Sequence, residues 1–181
     1  IRSIDAILLT HTHSDACGGL DDLRDFTAHT RKRAEKPLRI YMRQVDHEAV
    51  KKSHYWIFVG NPGYSNYVPE LQPVILASKK AFRFEELAGL TVTPIPVWHG
   101  SGYEALGFLF GRFAYISDVS SFPDSTKALL KANSPLETIV LDVCEHGSHP
   151  SHFSLDEALE FASEIKPRRL LLTGLTHEFE H

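Results

Sequence analysis

The 181-residue sequence predicts a mixed α/β fold, and three observations lead there. Short apolar runs of β-rich character recur along the chain, bounded by turn residues and too short to span a membrane. Ser154-Leu155-Asp156-Glu157 is a capping-box signature, and residues at helical spacing follow it. Gly111-Arg112 joins two strand-like runs as a two-residue hairpin link.

Taken in order, Ile4 to Leu9 is an apolar run with no charge after Asp5 and predicts a buried strand. Gly18-Gly19 predicts a tight turn, after which Leu20, Leu23 and Phe26 begin a helical stripe with Asp21 and Asp22 near its positive end. Thr30 to Lys36, including Arg31-Lys32-Arg33, reads as a solvated basic loop. Leu38 to Met42 predicts a strand, and Val45 to Lys52 a short helix carrying His47. Tyr55 to Pro73, with Gly60-Asn61-Pro62-Gly63, Tyr64 and Tyr67, predicts an irregular aromatic-rich surface loop.

Two more strands are expected over Ala81 to Leu87 and Leu90 to Trp98, with Pro94 and Pro96 implying an edge position or interrupted pairing in the second. Leu106 to Phe110 and Phe113 to Ile116 form the hairpin, which leads into Ser117-Asp118. Pro123 suits the first position of a helix running to about Ala132. Thr138 to Val143 predicts a buried strand. Behind the capping box, Leu155, Ala158, Leu159, Ala162 and Ile165 predict the buried face of a helix that Pro167 stops. Arg169 to Thr173 predicts a last buried strand, which delivers Gly174, Thr176 and His177.

At 43% hydrophobic residues the chain is long enough for one substantial core, and residues 1–181 are read as a single domain. It opens without methionine, directly into a core strand, and closes on His181, so segments are expected to be missing at both ends. Nineteen basic residues against 23 acidic ones give −4, which argues against a nucleic-acid coat. Cys17 and Cys144 lie far apart, so neither a disulfide framework nor a zinc finger is indicated. With no signal peptide and no membrane-length apolar run, a cytoplasmic protein with no membrane partner is expected.

The chemistry concentrates at strand ends. The chain has eleven histidines, several in tight groups. His11 and His13, His99, Asp118 and His177 each fall within a few residues of the end of a predicted strand. Strand ends along one rim of a sheet converge on a common site. On an extended backbone His11, His13 and Asp15 share one face, and imidazoles with a carboxylate make a transition-metal site.

Leu8-Leu9-Thr10-His11-Thr12-His13-Ser14-Asp15-Ala16, with Gly18-Gly19-Leu20 following, resembles the His-x-His-x-Asp-His signature of the metallo-β-lactamase-fold hydrolases. His99-Gly100, Tyr115-Ile116-Ser117-Asp118 and the last strand leading to His177 match that family's later features in order. Gly107-Phe108 and His152-Phe153-Ser154-Leu155 look closest to its phosphodiesterases, such as the phosphonate-pathway cyclic phosphodiesterase and the tRNA-maturing endoribonucleases. The resemblance implies an αββα sandwich, here lacking the family's earlier strands.

It also implies one or two divalent metal ions, zinc or manganese. His11, His13 and His99 would hold one ion, Asp118 would bridge, and Asp15 and His177 would join it at a second. A metal-bound hydroxide would attack a phosphodiester, with Asp15 in the catalytic centre and His152 as general acid. The substrate would be a small phosphodiester or nucleotide-like molecule, with RNA a further candidate; the oligomeric state is left open.

Ala16 departs from the pattern, standing where the family has a ligand histidine. The second site becomes carboxylate-rich, which weakens zinc, favours a harder ion or leaves one metal. His146, His149 and His181 are the residues that would compensate. Rival readings are a thioester or lactone hydrolase of the same fold and a decayed, non-catalytic scaffold. His177-Glu178-Phe179-Glu180-His181 contains an HExxH string, but a zincin needs it on a helix with a third ligand, and here it follows a strand. Cys17 reads as a small packed residue.

Overall fold

The structure, a computed structural model, describes residues 4–27, 37–58, 68–77 and 79–179. The basic loop at 30–36, the glycine- and tyrosine-rich stretch at 60–67 and His181 lie outside the described residues. Two compact units, Ile1–Ala77 and Ser78–His181, are taken in turn.

The first unit is built on a three-stranded sheet in the order β1 (Ala6–Leu8), β2 (Leu38–Met42) and β3 (Leu71–Ile75), all parallel. β2 lies between its neighbours and is its most buried strand, which is why its apolar run reads so clearly. β3 begins inside the stretch expected to be irregular and runs two residues past its end. Pro73, the residue that hides it, pairs with Ile40 at the sheet's edge, where a missing N–H is tolerated.

After β1 the backbone stays extended only as far as His13, the N-cap of α1 (Ser14–Cys17). Asp15 therefore stands in the first turn of a helix and not on a strand face, which corrects the expected alternation beyond His13. Gly18-Gly19 makes no reversal either, because a 3-10 turn (Gly18–Leu23) carries the chain on into α2 (Arg24–Thr27). α3 (Gln44–Ser53) and α4 (Tyr55–Phe58) complete the unit. Leu9, Cys17, Leu20, Ile40, Met42, Val50 and Ile57 form its core.

The second unit holds a six-stranded sheet in sequential order: β4 (Phe82–Phe84), β5 (Leu90–Trp98), β6 (Glu104–Phe110), β7 (Phe113–Ile116), β8 (Thr138–Asp142) and β9 (Leu170–Thr173). Pairing is antiparallel from β4 to β7 and parallel from β7 to β9. β5 is two antiparallel steps from β7, so β5, β7, β8 and β9 all end at the same rim. The expected interruption at Pro94 and Pro96 is present: β4 pairs only with Leu90 to Val92, leaving both prolines beyond its reach. Gly111 opens the hairpin with φ 58°, the positive φ that a type II′ turn asks of its first residue.

Pro123 is the N-cap of α5 (Asp124–Ala132), one position earlier than expected. Ser154 caps α6 (Leu155–Ile165) through the full capping box: its hydroxyl accepts from Glu157 N–H, and Glu157 accepts from Ser154 N–H. The buried face of α6 is Ala158, Phe161 and Ile165, whereas Leu159 is 50% exposed. Phe161 displaces Leu159 from the core because it stacks on Phe122 with centroids 4.2 Å apart. β9 is an edge strand with Leu171 exposed, and so less buried than its apolar run implied. Among the described residues no helix is long and apolar enough to cross a membrane.

One close approach sets a strict size limit. A Cβ on Gly107 would sit 2.8 Å from the Tyr115 carbonyl oxygen and 2.9 Å from Ile116 Cγ1, both on β7. Gly107→Ala should therefore lower unfolding free energy by about 1–3 kcal/mol in urea denaturation. A change within about 0.5 kcal/mol would show that β6 and β7 separate freely there.

Candidate metal centre

In the first unit, His11 and His13 leave the end of β1 with ring centroids 4.7 Å apart and planes at 81°. His11 is fully buried and shares a hydrogen bond of 3.0 Å between its Nδ1 and the Thr10 hydroxyl. His13 and Asp15 are exposed, Asp15 in the first turn of α1. Cys17 is buried, its Sγ faces the Thr12 carbonyl at 3.4 Å, and burial together with the Asp15 charge pushes its thiol up. It is a packed neutral thiol, as its sequence context implied.

In the second unit, His99 follows β5 by one residue, Asp118 follows β7 by two, and Asp142 is the last residue of β8. Backbone bonds fix these strand exits. Trp98 N–H donates to the Ser121 carbonyl, His99 N–H to the Tyr103 carbonyl, and Gly100 N–H to the Ser120 hydroxyl. The loop carrying His146, His149 and His152 is tied at its base by Cys144 N–H to the Phe153 carbonyl and Leu155 N–H to the Glu145 carbonyl.

These exits bring three groups together. One ligand atom each from His99, Asp118 and His152 lies within 4.8 Å of the others. The His99 and His152 rings have centroids 4.8 Å apart. His99 Nδ1 is 2.7 Å from the Ser151 carbonyl oxygen, which can only accept, so Nδ1 holds the proton and Nε2 is the nitrogen with the lone pair. His152 Nδ1–H likewise donates to Asp142 Oδ2 at 2.7 Å.

Asp142 is the residue that sequence reasoning missed. Its Oδ2 also accepts from Val119 N–H at 3.0 Å. Its Oδ1 is buried with no hydrogen-bond partner among the described residues and faces Gly174, where an added Cβ would lie 2.7 Å away. Burial pushes the carboxyl above its ordinary range, opposed by the hydrogen bonds from His152 and Val119. The signal for it was present: a carboxylate closes the apolar run Thr138 to Val143 as Asp118 follows the hairpin.

His177 begins a 3-10 turn (His177–Phe179) four residues past β9, is exposed, and is not a member of the His99–Asp118–His152 group. A three-residue 3-10 turn also lacks the α-helical face that an HExxH motif requires. His146 packs on Phe179, centroids 4.3 Å apart.

Comparison with known proteins agrees with this architecture. Residues 1–175 match the family profile described as "Beta-lactamase superfamily domain", and the chain belongs to that family. It is similar to a diphosphatase from the PhnP family, at 28% identity and a TM-score of 0.83, covering all of this chain and 63% of that one. It is also similar to the metallo-β-lactamase-fold protein YhfI from Bacillus subtilis, at 20% identity and a TM-score of 0.69, covering 96% of this chain and 65% of that one. A curated relative, an octanoyltransferase of Porphyromonas gingivalis, is 29% identical over 177 residues, which are 98% of this chain but 33% of that protein. The chain thus spans about a third of the curated relative and under two thirds of the diphosphatase. The expected metallo-β-lactamase-like α/β fold, with two sheets and helices, is borne out.

The raised carboxyl of Asp142 has a consequence for stability. A folded-state value above the ordinary 3.8 favours the folded protein at low pH, and that contribution is lost as pH rises through the folded value. In metal-free protein, Asp142→Asn removes this dependence. Its stability relative to wild type should therefore improve as pH climbs from the ordinary carboxylate range, measured by urea unfolding. A difference independent of pH would mean that Asp142 ionises as it does in the unfolded chain.

Proposed function

We propose that the chain is a metal-dependent hydrolase of a phosphodiester. The observation that carries this reading is the Asp142-held His152 beside His99 and Asp118 at the common rim of β5, β7 and β8. The similarity to the PhnP-family diphosphatase supports the substrate class.

The donor types suit a zinc- or manganese-class ion: imidazoles with a lone pair set on Nε2, and carboxylate oxygens. His11, His13, His99 and Asp118 would hold one ion, and Asp15, Asp118 and His177 would hold a second. Ala16 leaves that second position rich in carboxylate, which favours the harder manganese or single-ion occupancy. Divalent ions at such a centre neutralise phosphoryl charge and acidify water near neutral pH.

The chain's own contribution is proton handling. With Nδ1–H committed to Asp142, His152 exchanges protons through Nε2 and delivers one to the leaving oxygen. Asp142 keeps the ring in that tautomer and stabilises its charged form, while Gly174 leaves room for the carboxylate. Substrates in this reading are small phosphodiesters or nucleotide-like molecules, RNA included. The acyl chemistry named for the octanoyltransferase belongs to a protein of which this chain matches only a third.

Two measurements test the reading. Protein loaded with zinc or manganese should hydrolyse bis(4-nitrophenyl) phosphate in proportion to its metal content; fully metallated protein that cleaves only a thioester or lactone would contradict the substrate class. His152→Ala should slow turnover by about 100-fold or more at unchanged metal content. Loss of metal in parallel with activity would make His152 a ligand instead.

A further inference from the structure

The loop that delivers His152 carries another imidazole, His149, which the reaction above leaves without a task. The His149 and His152 ring centroids are 5.0 Å apart, so His99, His152 and His149 form a row of three imidazoles. Ser151 contacts the two outer ones in opposite senses. Its carbonyl accepts Nδ1–H of His99 at 2.7 Å, and its backbone N–H donates to Nδ1 of His149 at 3.3 Å. The Ser151 hydroxyl lies 3.3 Å from that same nitrogen.

A ring nitrogen that accepts an N–H bears no proton, so neutral His149 carries its proton on Nε2. One residue thereby sets opposite tautomers in two neighbouring histidines. His99 presents a lone pair at Nε2, which suits a cation. His149 presents an N–H at Nε2, with its Nδ1 lone pair already engaged by Ser151, which suits an anionic oxygen and not a metal ion. His149 is half-buried, and its ring lies beside that of His152.

We propose that His149 is a substrate-binding residue whose Nε2–H donates to a non-bridging phosphoryl oxygen. This rests on the phosphodiesterase reading above and gives the site a protein-supplied contact to the phosphoryl group distinct from proton transfer. A hydrogen bond to a charged oxygen is strong enough for its loss to be read as a change of about tenfold or more in binding.

His149→Ala should raise KM for bis(4-nitrophenyl) phosphate and the inhibition constant of inorganic phosphate by about tenfold or more, at unchanged metal content. His149→Gln, whose amide N–H extends to a similar reach, should recover most of both. Long-range 1H–15N spectra of metal-free wild type above pH 8 should show His149 protonated at Nε2 and His99 at Nδ1. An Nδ1–H tautomer at His149, constants unchanged in the alanine variant, or metal lost from it would each overturn the proposal. Wild type that neither cleaves the diester nor binds phosphate would remove the phosphodiesterase reading and this inference together. A wild type that does both, matched by the alanine variant, would remove the His149 assignment alone.

Discussion

The second unit depends on one buried carboxylate. Asp142 ends a strand that lies between β7 and β9, so its side chain stands where three chain segments leave the sheet. It binds Val119 N–H directly after Asp118, holds Nδ1 of His152, and abuts the backbone at Gly174 after β9. A buried, incompletely bonded carboxylate is costly, and the unit tolerates it because two donors converge on its other oxygen. The cost falls where the imidazole of His152 is held in one tautomer. Gly174, with φ 79°, is fitted to this arrangement twice: it takes a backbone conformation that side chains resist, and it leaves the carboxylate its space.

The same logic of fixed tautomers extends outward through main-chain atoms. A carbonyl oxygen cannot donate and a backbone N–H cannot accept, so a main-chain partner determines which imidazole nitrogen holds the proton more firmly than a hydroxyl does. Ser151 supplies one of each, and the stem bonds beneath its loop hold it in place. Chemistry at the rim is thus written partly in backbone atoms, which no residue pattern displays. Residues 1–175, which match the beta-lactamase superfamily domain, include this rim and its loops up to Leu175.

Much of the fold was legible because period and punctuation agreed. β2, the hairpin of β6 and β7, β8 and the capped start of α6 each carry a strong local signal, and each lies within a residue or two of its expected place. Failures came where local signals conflicted. Pro73 among aromatic residues concealed an edge strand, and the extended reading of His11 to Asp15 ran on past His13 because nothing before Ser14 announces a helical turn. On α6, helical spacing admits either Leu159 or Phe161, and only the stack on Phe122 decides between them. His99 and Asp118 are legible from strand-end placement and His152 from the resemblance of His152-Phe153-Ser154-Leu155, and the three are adjacent within the second unit. Asp142 had the same placement and was passed over as the polar end of an apolar run. His177 also lies within a few residues of a strand end, as its placement in the sequence implies, in a 3-10 turn four residues past β9.

The central claim is that imidazoles and carboxylates of this chain, and no thiol, hold the ions that make it a hydrolase. X-ray absorption at the zinc edge of stoichiometrically loaded protein tests this most directly. A first shell of nitrogen and oxygen with the outer-shell scattering of at least two imidazoles is the expected result. A sulfur ligand, a shell without imidazole, or failure to bind zinc or manganese near one equivalent would contradict it.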